Sequence, residues 1–126
     1  MSYIDGFVLA VPAANRERFR AMAARVAEIF IEHGALRVVE NWGDDVPEGK
    51  LTDFRRAVAL EEGETVVFSW VEWPSKEARD KGNDAIAADP RLRPDPEEAD
   101  IMDGRRMIFG GFVPIVDVIA GSGRAG

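Results

Sequence analysis

Three carboxylates interrupt segments of the chain that are otherwise apolar, and they are Asp5, Glu40 and Glu72. Burying a carboxylate is costly, so such a residue must be paired with a cation, be protonated, or reach water at a strand end. A buried carboxyl with a raised pKa can exchange a proton near neutral pH, which is general acid or base chemistry. Salt bridges across a subunit interface or solvated strand ends explain the same acids without catalysis.

The neighbours of these acids favour a pocket for a small molecule. Each acid shares a strand face with bulky residues, as Glu72 does with Trp70, and arginines are available to balance the charge. Aromatic walls with a few polar groups are typical of ligand pockets. We therefore predict a ligand site at the sheet, on the assumption that the relevant strand faces align. Its residues are Asp5, Arg37, Glu40, Trp70, Glu72 and Arg106.

A second acidic candidate is the pair Asp44-Asp45 in the segment ENWGDDVPEGKLTDF. Oxygen ligands suit magnesium or calcium, and Glu48 and Asp53 could add to the pair. The spacing does not match a calcium-binding loop, however, and consecutive aspartates point in different directions. We interpret the pair as a turn that begins at Gly43, with carboxylates that accept from backbone amides two residues on. We predict no metal site.

The sequence offers few side chains that could act as a nucleophile or a general base. The chain contains no cysteine, which excludes disulfides, thiol nucleophiles and thiolate metal sites. Its one histidine, His33, ends an apolar helical stripe, where it could act as a general base or place a cation against the helix dipole. We favour the second interpretation, because no Ser/His/Asp grouping assembles around His33. No cofactor is predicted.

Composition limits the class of protein further. Apolar residues make up 46% of the 126 residues, as expected for one globular domain. The 23 acidic and 16 basic residues give a net charge of −7, which argues against a nucleic-acid partner. No uncharged apolar run approaches the ~20 residues that span a bilayer. Asp5 within the first apolar run argues against a signal peptide, so we expect a cytoplasmic protein.

Periodicity divides the chain into strands and helices. Alternation or dense β-branched residues predict strands over 3–11, 36–42, 65–73 and 106–118, and a period near 3.6 predicts helices over 13–33 and 75–89. Gly110-Gly111 and Pro114 mark the last strand as bulged and at a sheet edge. Residues 52–60 could form a short strand or a helical turn, and 89–104 read as a long loop.

This order of elements predicts an α+β fold. Two strand–helix–strand units with interleaved strands give a ferredoxin-like βαββαβ plait, a four-stranded antiparallel sheet with both helices on one face. We predict a single domain over 1–119 and a disordered tail over 120–126.

The third strand is apolar on both faces, with Phe68 and Trp70 on one and Val67 and Val71 on the other. A strand exposed on one side should alternate, so both faces should be buried, and the two helices cover only one. A second copy of the sheet is the natural cover. We therefore predict a homodimer joined through the sheets, with Phe68 or Trp70 in the buried layer.

The second helix carries small residues on its inward stripe, including Gly82. A glycine within a helix costs about 1 kcal/mol relative to alanine, so it should have a reason. Either it allows a close approach to the sheet, or it leaves space for a ligand beneath the helix.

Several blocks of the sequence, in order, resemble the YbaA-like family, a domain of unknown function. These blocks are YIDGFVLAVP, HGALRVVENWGDDVPEGK, ETVVFSW followed by WPSK, DPR, and DGRRMIFGGFVPIVD. The resemblance implies a dimeric α/β-barrel, in which two ferredoxin-like protomers pack sheet to sheet, and it implies no reaction. Two classes of function therefore stay open. One is a protein that binds or transforms a small, partly apolar molecule, and the other is a non-catalytic structural or interaction dimer.

Overall fold

The computed structural model describes residues 2–121, and its elements follow the predicted order. The strands are β1 (Tyr3–Pro12), β2 (Arg37–Trp42), β3 (Glu64–Trp73) and β4 (Ile108–Phe112), and the helices are α1 (Arg16–Glu32), α2 (Phe54–Ala57) and α3 (Lys76–Ala87). Short 3-10 turns lie at Ala13–Asn15, Pro90–Leu92, Pro96–Glu98 and Gly104–Arg106. The strands form one antiparallel sheet in the order β2-β3-β1-β4, so the predicted ferredoxin-like fold is confirmed.

Local signals fix the ends of both long helices. Gly34 follows α1 with a φ of 107°, a left-handed conformation that favours glycine at a helix end. Ser75 caps α3, because its hydroxyl accepts a hydrogen bond from the Ala78 amide at 3.1 Å. Both helices therefore end close to the predicted positions.

The helices cover one face of the sheet and create its core. Phe19 of α1 packs on Leu9 and Val67, and Ile86 of α3 packs near the fully buried Trp73. Burial of such side chains is the main favourable term in folding. We call this side the helix face.

The opposite side is the open face, and part of it is covered by the connection between β2 and β3. Val58 of this connection is 1% exposed and packs on Ala10 and Val66. Farther along the sheet the open face leaves Phe68 43% and Phe112 59% exposed. This cover of one end of the open face by the chain itself was not predicted from the sequence.

Four predicted segments differ from the structure or have an alternative resolved by it. The fourth strand is limited to Ile108–Phe112, pairs with β1 in regular register without a bulge, and lies at the sheet edge as predicted. Residues 54–57 form a helical turn rather than a strand. The long loop over 89–104 contains 3-10 turns capped by aspartates. Of the predicted tail, 120–121 form a turn and 122–126 lie outside the described residues.

Within residues 2–121, none of the helices combines the length and the apolar character that crossing a bilayer requires.

Candidate functional site

The sheet register divides the residues of the predicted site. Asp5 pairs with Val71 and Glu40 with Ser69, which places both acids on the helix face. The other predicted residues on β2 and β3 have the opposite parity, so they lie on the open face. These are Arg37, Trp70 and Glu72. The structure therefore does not bring the six residues into one pocket.

The open-face group is satisfied internally. The Trp70 indole Nε1 donates a hydrogen bond to Glu72 Oε2 at 3.0 Å, and Arg37 Nη1 lies 3.6 Å from the same oxygen. This pairing explains how an acid is tolerated among aromatic residues. It requires no ligand.

Arg106 lies elsewhere, in the 3-10 turn before β4, and pairs with Glu64 at the start of β3. Its two terminal nitrogens donate to both carboxylate oxygens of Glu64, at 2.7 and 2.6 Å, and its Nε donates to Asp103. The guanidinium of Arg106 lowers the pKa of the Glu64 carboxyl. This bidentate pair anchors the segment that leads into β4, which is a structural role.

Asp5 is paired with a cation, but this cation is Arg79, which is not among the predicted site residues. Trp73 Nε1 donates to Asp5 Oδ2 at 3.0 Å, and Arg79 Nε lies 3.5 Å from Oδ1. Arg79 also donates to the Tyr3 hydroxyl at 2.8 Å and stacks on the Tyr3 ring at 4.7 Å. A signal for Arg79 was present, since it lies three residues before Gly82, on the flank of the inward stripe of α3.

A cleft separates α1 from the sheet, and we call it the α1 cleft. It consists of two overlapping cavities of about 250 and 310 Å³. Ala23 and Ala27 of α1 line both cavities, and their short side chains leave the space open. Larger apolar side chains line the rest of the cleft, and they are Phe7, Leu9, Phe19, Met22, Val26, Phe30, Val38, Trp42, Met102 and Met107. Space beneath the second helix was one of the two alternatives for Gly82, whereas space beneath the first helix was not predicted from the sequence.

Glu40 is the only carboxylate among the described residues that line these two cavities. The residue belongs to an edge strand and is exposed as a whole, but part of its side chain lines the cleft together with Ser69. Burial raises the pKa of the Glu40 carboxyl, and an interaction with Ser69 offsets part of the rise. The cleft therefore holds an acid whose neutral form is favoured over that of a free glutamate.

The mouth of the cleft is basic and aromatic. Arg16 lies over the Trp42 ring at 5.5 Å, a cation–π geometry, and Arg20 is paired with Glu17 at 2.6 Å. A polar end of a ligand could meet Arg16 here while its apolar part lies under α1.

A third cavity continues the α1 cleft toward β4. It measures about 360 Å³ and shares Phe7, Phe30 and Met107 with the cleft, while Asp5 and Arg79 lie on its polar side. The two acids of the helix face, Asp5 and Glu40, thus line neighbouring cavities.

The remaining candidates have structural surroundings. Asp44 and Asp45 are exposed, and neither carboxylate makes the predicted turn hydrogen bond within the described part of the chain. Asp53 takes that role, accepting from the Arg56 and Gly49 amides at 2.7 and 3.0 Å. No cluster of three or more metal-binding side chains occurs in residues 2–121.

His33 pairs with an aspartate at the end of α1. Its Nε2 lies 2.9 Å from Asp89 Oδ2, and Arg91 contacts the same carboxylate. Arg91, and then His33, hold the pKa of the Asp89 carboxyl well below its usual range. The histidine therefore ties α1 to the loop after α3, and it does not line the α1 cleft.

Comparisons with known proteins agree with this architecture. A family model described as "Protein of unknown function (DUF1428)" matches residues 2–104. The uncharacterized protein YbaA of Escherichia coli (strain K12) is 56% identical over 117 residues, which is 93% of this chain and 99% of that protein.

Two solved structures share the fold at low identity. One is a variant of SnoaB, a cofactor-independent oxygenase from Streptomyces nogalater, with a TM-score of 0.59, 16% identity and coverage of 93% of this chain and 96% of that one. The other is a dimeric ferredoxin-like protein from an uncultured marine organism, with a TM-score of 0.58, 12% identity and coverage of 94% and 100%. At these identities the likeness is one of fold alone.

Proposed function

This chain belongs to the DUF1428 family of proteins of unknown function, and we propose that it binds a small, largely apolar molecule in the α1 cleft, with a polar group of that molecule beside Glu40. The observation that carries the proposal is the position of Glu40, whose pKa is raised by partial burial and which is the one carboxylate in a described cavity whose other walls are mainly apolar. Ligand pockets commonly combine apolar walls with a few polar groups that set orientation. This moves the predicted ligand site from the whole sheet to its helix face.

The chemistry of Glu40 defines what the ligand should carry. In its protonated form the carboxyl can donate a hydrogen bond to a carbonyl oxygen, and in its ionised form it accepts from a hydroxyl or amine. Because its pKa is raised, both forms are accessible closer to neutral pH than for a free glutamate. A proton could thus pass between Glu40 and the ligand. SnoaB is a precedent for cofactor-independent chemistry on the same fold, although it supports this activity by analogy only.

The protein is further proposed to act as a homodimer joined through the open face. Phe68, Ile108 and Phe112 are 43%, 46% and 59% exposed there, and polar residues would be expected on a face that meets water. The marine ferredoxin-like protein is dimeric, which supports the same arrangement by fold analogy. The α1 cleft lies on the other side of the sheet, so a dimer of this kind leaves the cleft accessible.

The ligand proposal is tested with N-phenyl-1-naphthylamine, an uncharged apolar fluorophore with one N–H group. We expect its fluorescence to rise on binding to the protein. Ala27→Phe fills the cleft and should weaken binding at least about tenfold, the equivalent of 1.4 kcal/mol. Ala21→Phe is the matched control, since Ala21 is exposed on the same helix and lines neither cavity, and it should leave affinity unchanged.

The role of Glu40 is tested in the same assay. Glu40→Gln keeps the shape of the side chain but cannot ionise, so the pH dependence of affinity should disappear. Circular dichroism establishes that each variant is folded. Equal binding by wild type, Ala27→Phe and Ala21→Phe would place the probe outside the α1 cleft and overturn the proposal.

A further inference from the structure

The segment that follows β4 exposes large apolar side chains to an unusual degree. We call residues 113–119 the C-terminal arm. In it, Ile115 is 92%, Val116 80% and Val118 84% exposed, and Val113 and Ile119 are also more than half exposed. Isolated exposed apolar residues are common, but five large ones within seven residues, interrupted only by Pro114 and Asp117, mark an interaction surface.

The backbone of the arm also lacks hydrogen-bond partners among the described residues. None of the backbone hydrogen bonds found outside helices and strands in the described residues involves 113–121. β4 has the matching deficiency, because it is the last strand of the sheet and pairs with β1 on one side only. Unpaired strand edges of this kind pair readily with another chain.

The arm and β4 of one chain are poorly placed to pair with each other. The arm continues directly from Phe112, so such a pairing would require a tight hairpin turn at its first residues. The favoured two-residue hairpin turns need a positive φ, which Val113 does not have and the ring of Pro114 forbids. The free edge and the unpaired arm therefore complement each other between two chains rather than within one.

We propose that the C-terminal arm of one copy adds as a strand to the outer edge of β4 of a second copy, and that the exchange is reciprocal. Seven residues span about 23 Å when extended, which exceeds the ~17 Å of the five residues of β4. Two-fold symmetry satisfies both edges and both arms in a single closed pair. The proposed partner of the outer edge of β4 is therefore the arm of a second copy of this chain.

The exchange bears on the cavity beside the α1 cleft. Phe109 lines that cavity from β4, together with Gly110 and Gly111, yet it is 73% exposed. An arm laid along the outer edge of β4 would cover Phe109 and complete the outer wall of the cavity. The inference rests on the proposed dimer but not on any ligand, and it goes beyond the dimer by assigning part of the cavity wall to the partner.

A photo-cross-linking experiment locates the arm without assuming its register. The photoreactive p-benzoylphenylalanine replaces Ile115 in one preparation and Leu51 in another, since Leu51 is 96% exposed but lies in the connection between β2 and β3. Each protein is mixed with an equal amount of ¹⁵N-labelled wild-type chain and irradiated, and the cross-linked peptides are identified by mass spectrometry. Mixed ¹⁴N/¹⁵N peptides are cross-links between copies.

We expect position 115 to form mixed cross-links to the peptide that contains 108–112, and position 51 to form none there. In sedimentation equilibrium, Ile115→Asp should weaken the dimer at least about tenfold, while Leu51→Asp should not. A dimer whose position 115 cross-links only within its own chain, or to other surfaces, would overturn the arm exchange and leave the sheet-to-sheet dimer standing. A wild-type protein that is monomeric at micromolar concentration would overturn both.

Discussion

Replacing Gly82 by alanine tests whether α3 packs against Trp73 without space for a methyl group. Alanine is favoured over glycine within a helix by about 1 kcal/mol, so helix propensity alone predicts stabilisation. A Cβ at position 82 would, however, overlap two ring carbons of Trp73 and lie 2.9 Å from the backbone oxygen of His33. Forcing a methyl group into a packed core costs about 1–3 kcal/mol. Trp73 is fully buried and cannot swing away, so the upper end applies and the net loss should be ~2 kcal/mol.

The assay is urea denaturation followed by far-UV circular dichroism at one fixed protein concentration. The urea midpoint should fall while the slope of the transition stays constant, and thermal denaturation should show a Tm lower by ~8 °C. Gly104→Ala is the control, because a Cβ there meets nothing within 4 Å, and it should leave stability unchanged or raise it by about 0.5 kcal/mol.

A double substitution identifies the cause of the loss. In a Trp73→Phe background the overlapping ring atoms are absent, so Gly82→Ala should lose most of its cost, which is a coupling of about 2 kcal/mol. If Gly82→Ala is instead as stable as the wild type, there is room beneath α3. The close contact of α3 with the sheet at Gly82 would then be wrong.

Three further results are expected. Trp70→Asp should dissociate or unfold the proposed dimer, because it places an unpaired charge in the buried layer. Sedimentation equilibrium should then show the 13.9 kDa chain or unfolded protein, and an intact dimer would contradict the sheet interface. Millimolar calcium, magnesium or manganese should leave Tm unchanged. A cation present at 100 times its Kd would add ~2.7 kcal/mol to the free energy of unfolding, so a rise in Tm that disappears in Asp45→Asn would reveal a site there. The folded-state pKa of Asp89 is lowered, so its contribution to stability is present above about pH 3.8 and is lost as pH falls through the folded pKa, and Asp89→Asn should flatten the acid side of a plot of urea midpoint against pH. The folded-state pKa of Glu40 is raised, so its contribution to stability is lost as pH rises above about 4.5, and Glu40→Gln should flatten that side of the plot. Unchanged profiles would contradict these pKa directions.

The fold was predictable because its signals are local. The alternation of strand residues and the spacing of Phe19, Met22 and Val26 depend only on neighbours in the chain. Gly34 and Ser75 fixed helix ends through turn geometry and a side-chain cap. Each of these features is visible within a window of a few residues.

The site was less predictable because it depends on strand register. Parity within one strand correctly grouped Glu72 with Trp70 and Asp5 with Phe7. Which of these groups share a face depends on how β1, β2 and β3 align, and those strands are separated by a helix or by a long connection. No local pattern carries that information, so residues from both faces were joined in one predicted pocket.

The length of the fourth strand was wrong for a related reason. Residues 113–118 have the apolar composition of a strand, but a strand also needs a partner for its backbone. Within residues 2–121 the arm has no such partner. Composition therefore predicted a longer strand than the Ile108–Phe112 that the structure shows.

The central claim is that a small apolar molecule binds beneath α1, and contacts between the probe and alanine methyl groups test it most directly. Protein labelled with ¹³C at alanine methyls is mixed with N-phenyl-1-naphthylamine, and intermolecular NOEs are recorded. We predict NOEs from the probe to Ala23 and Ala27, which line the cleft, and none to the exposed Ala21. A probe that is bound but shows NOEs only to alanines outside the cleft, or shows none to Ala23 and Ala27, would contradict the claim.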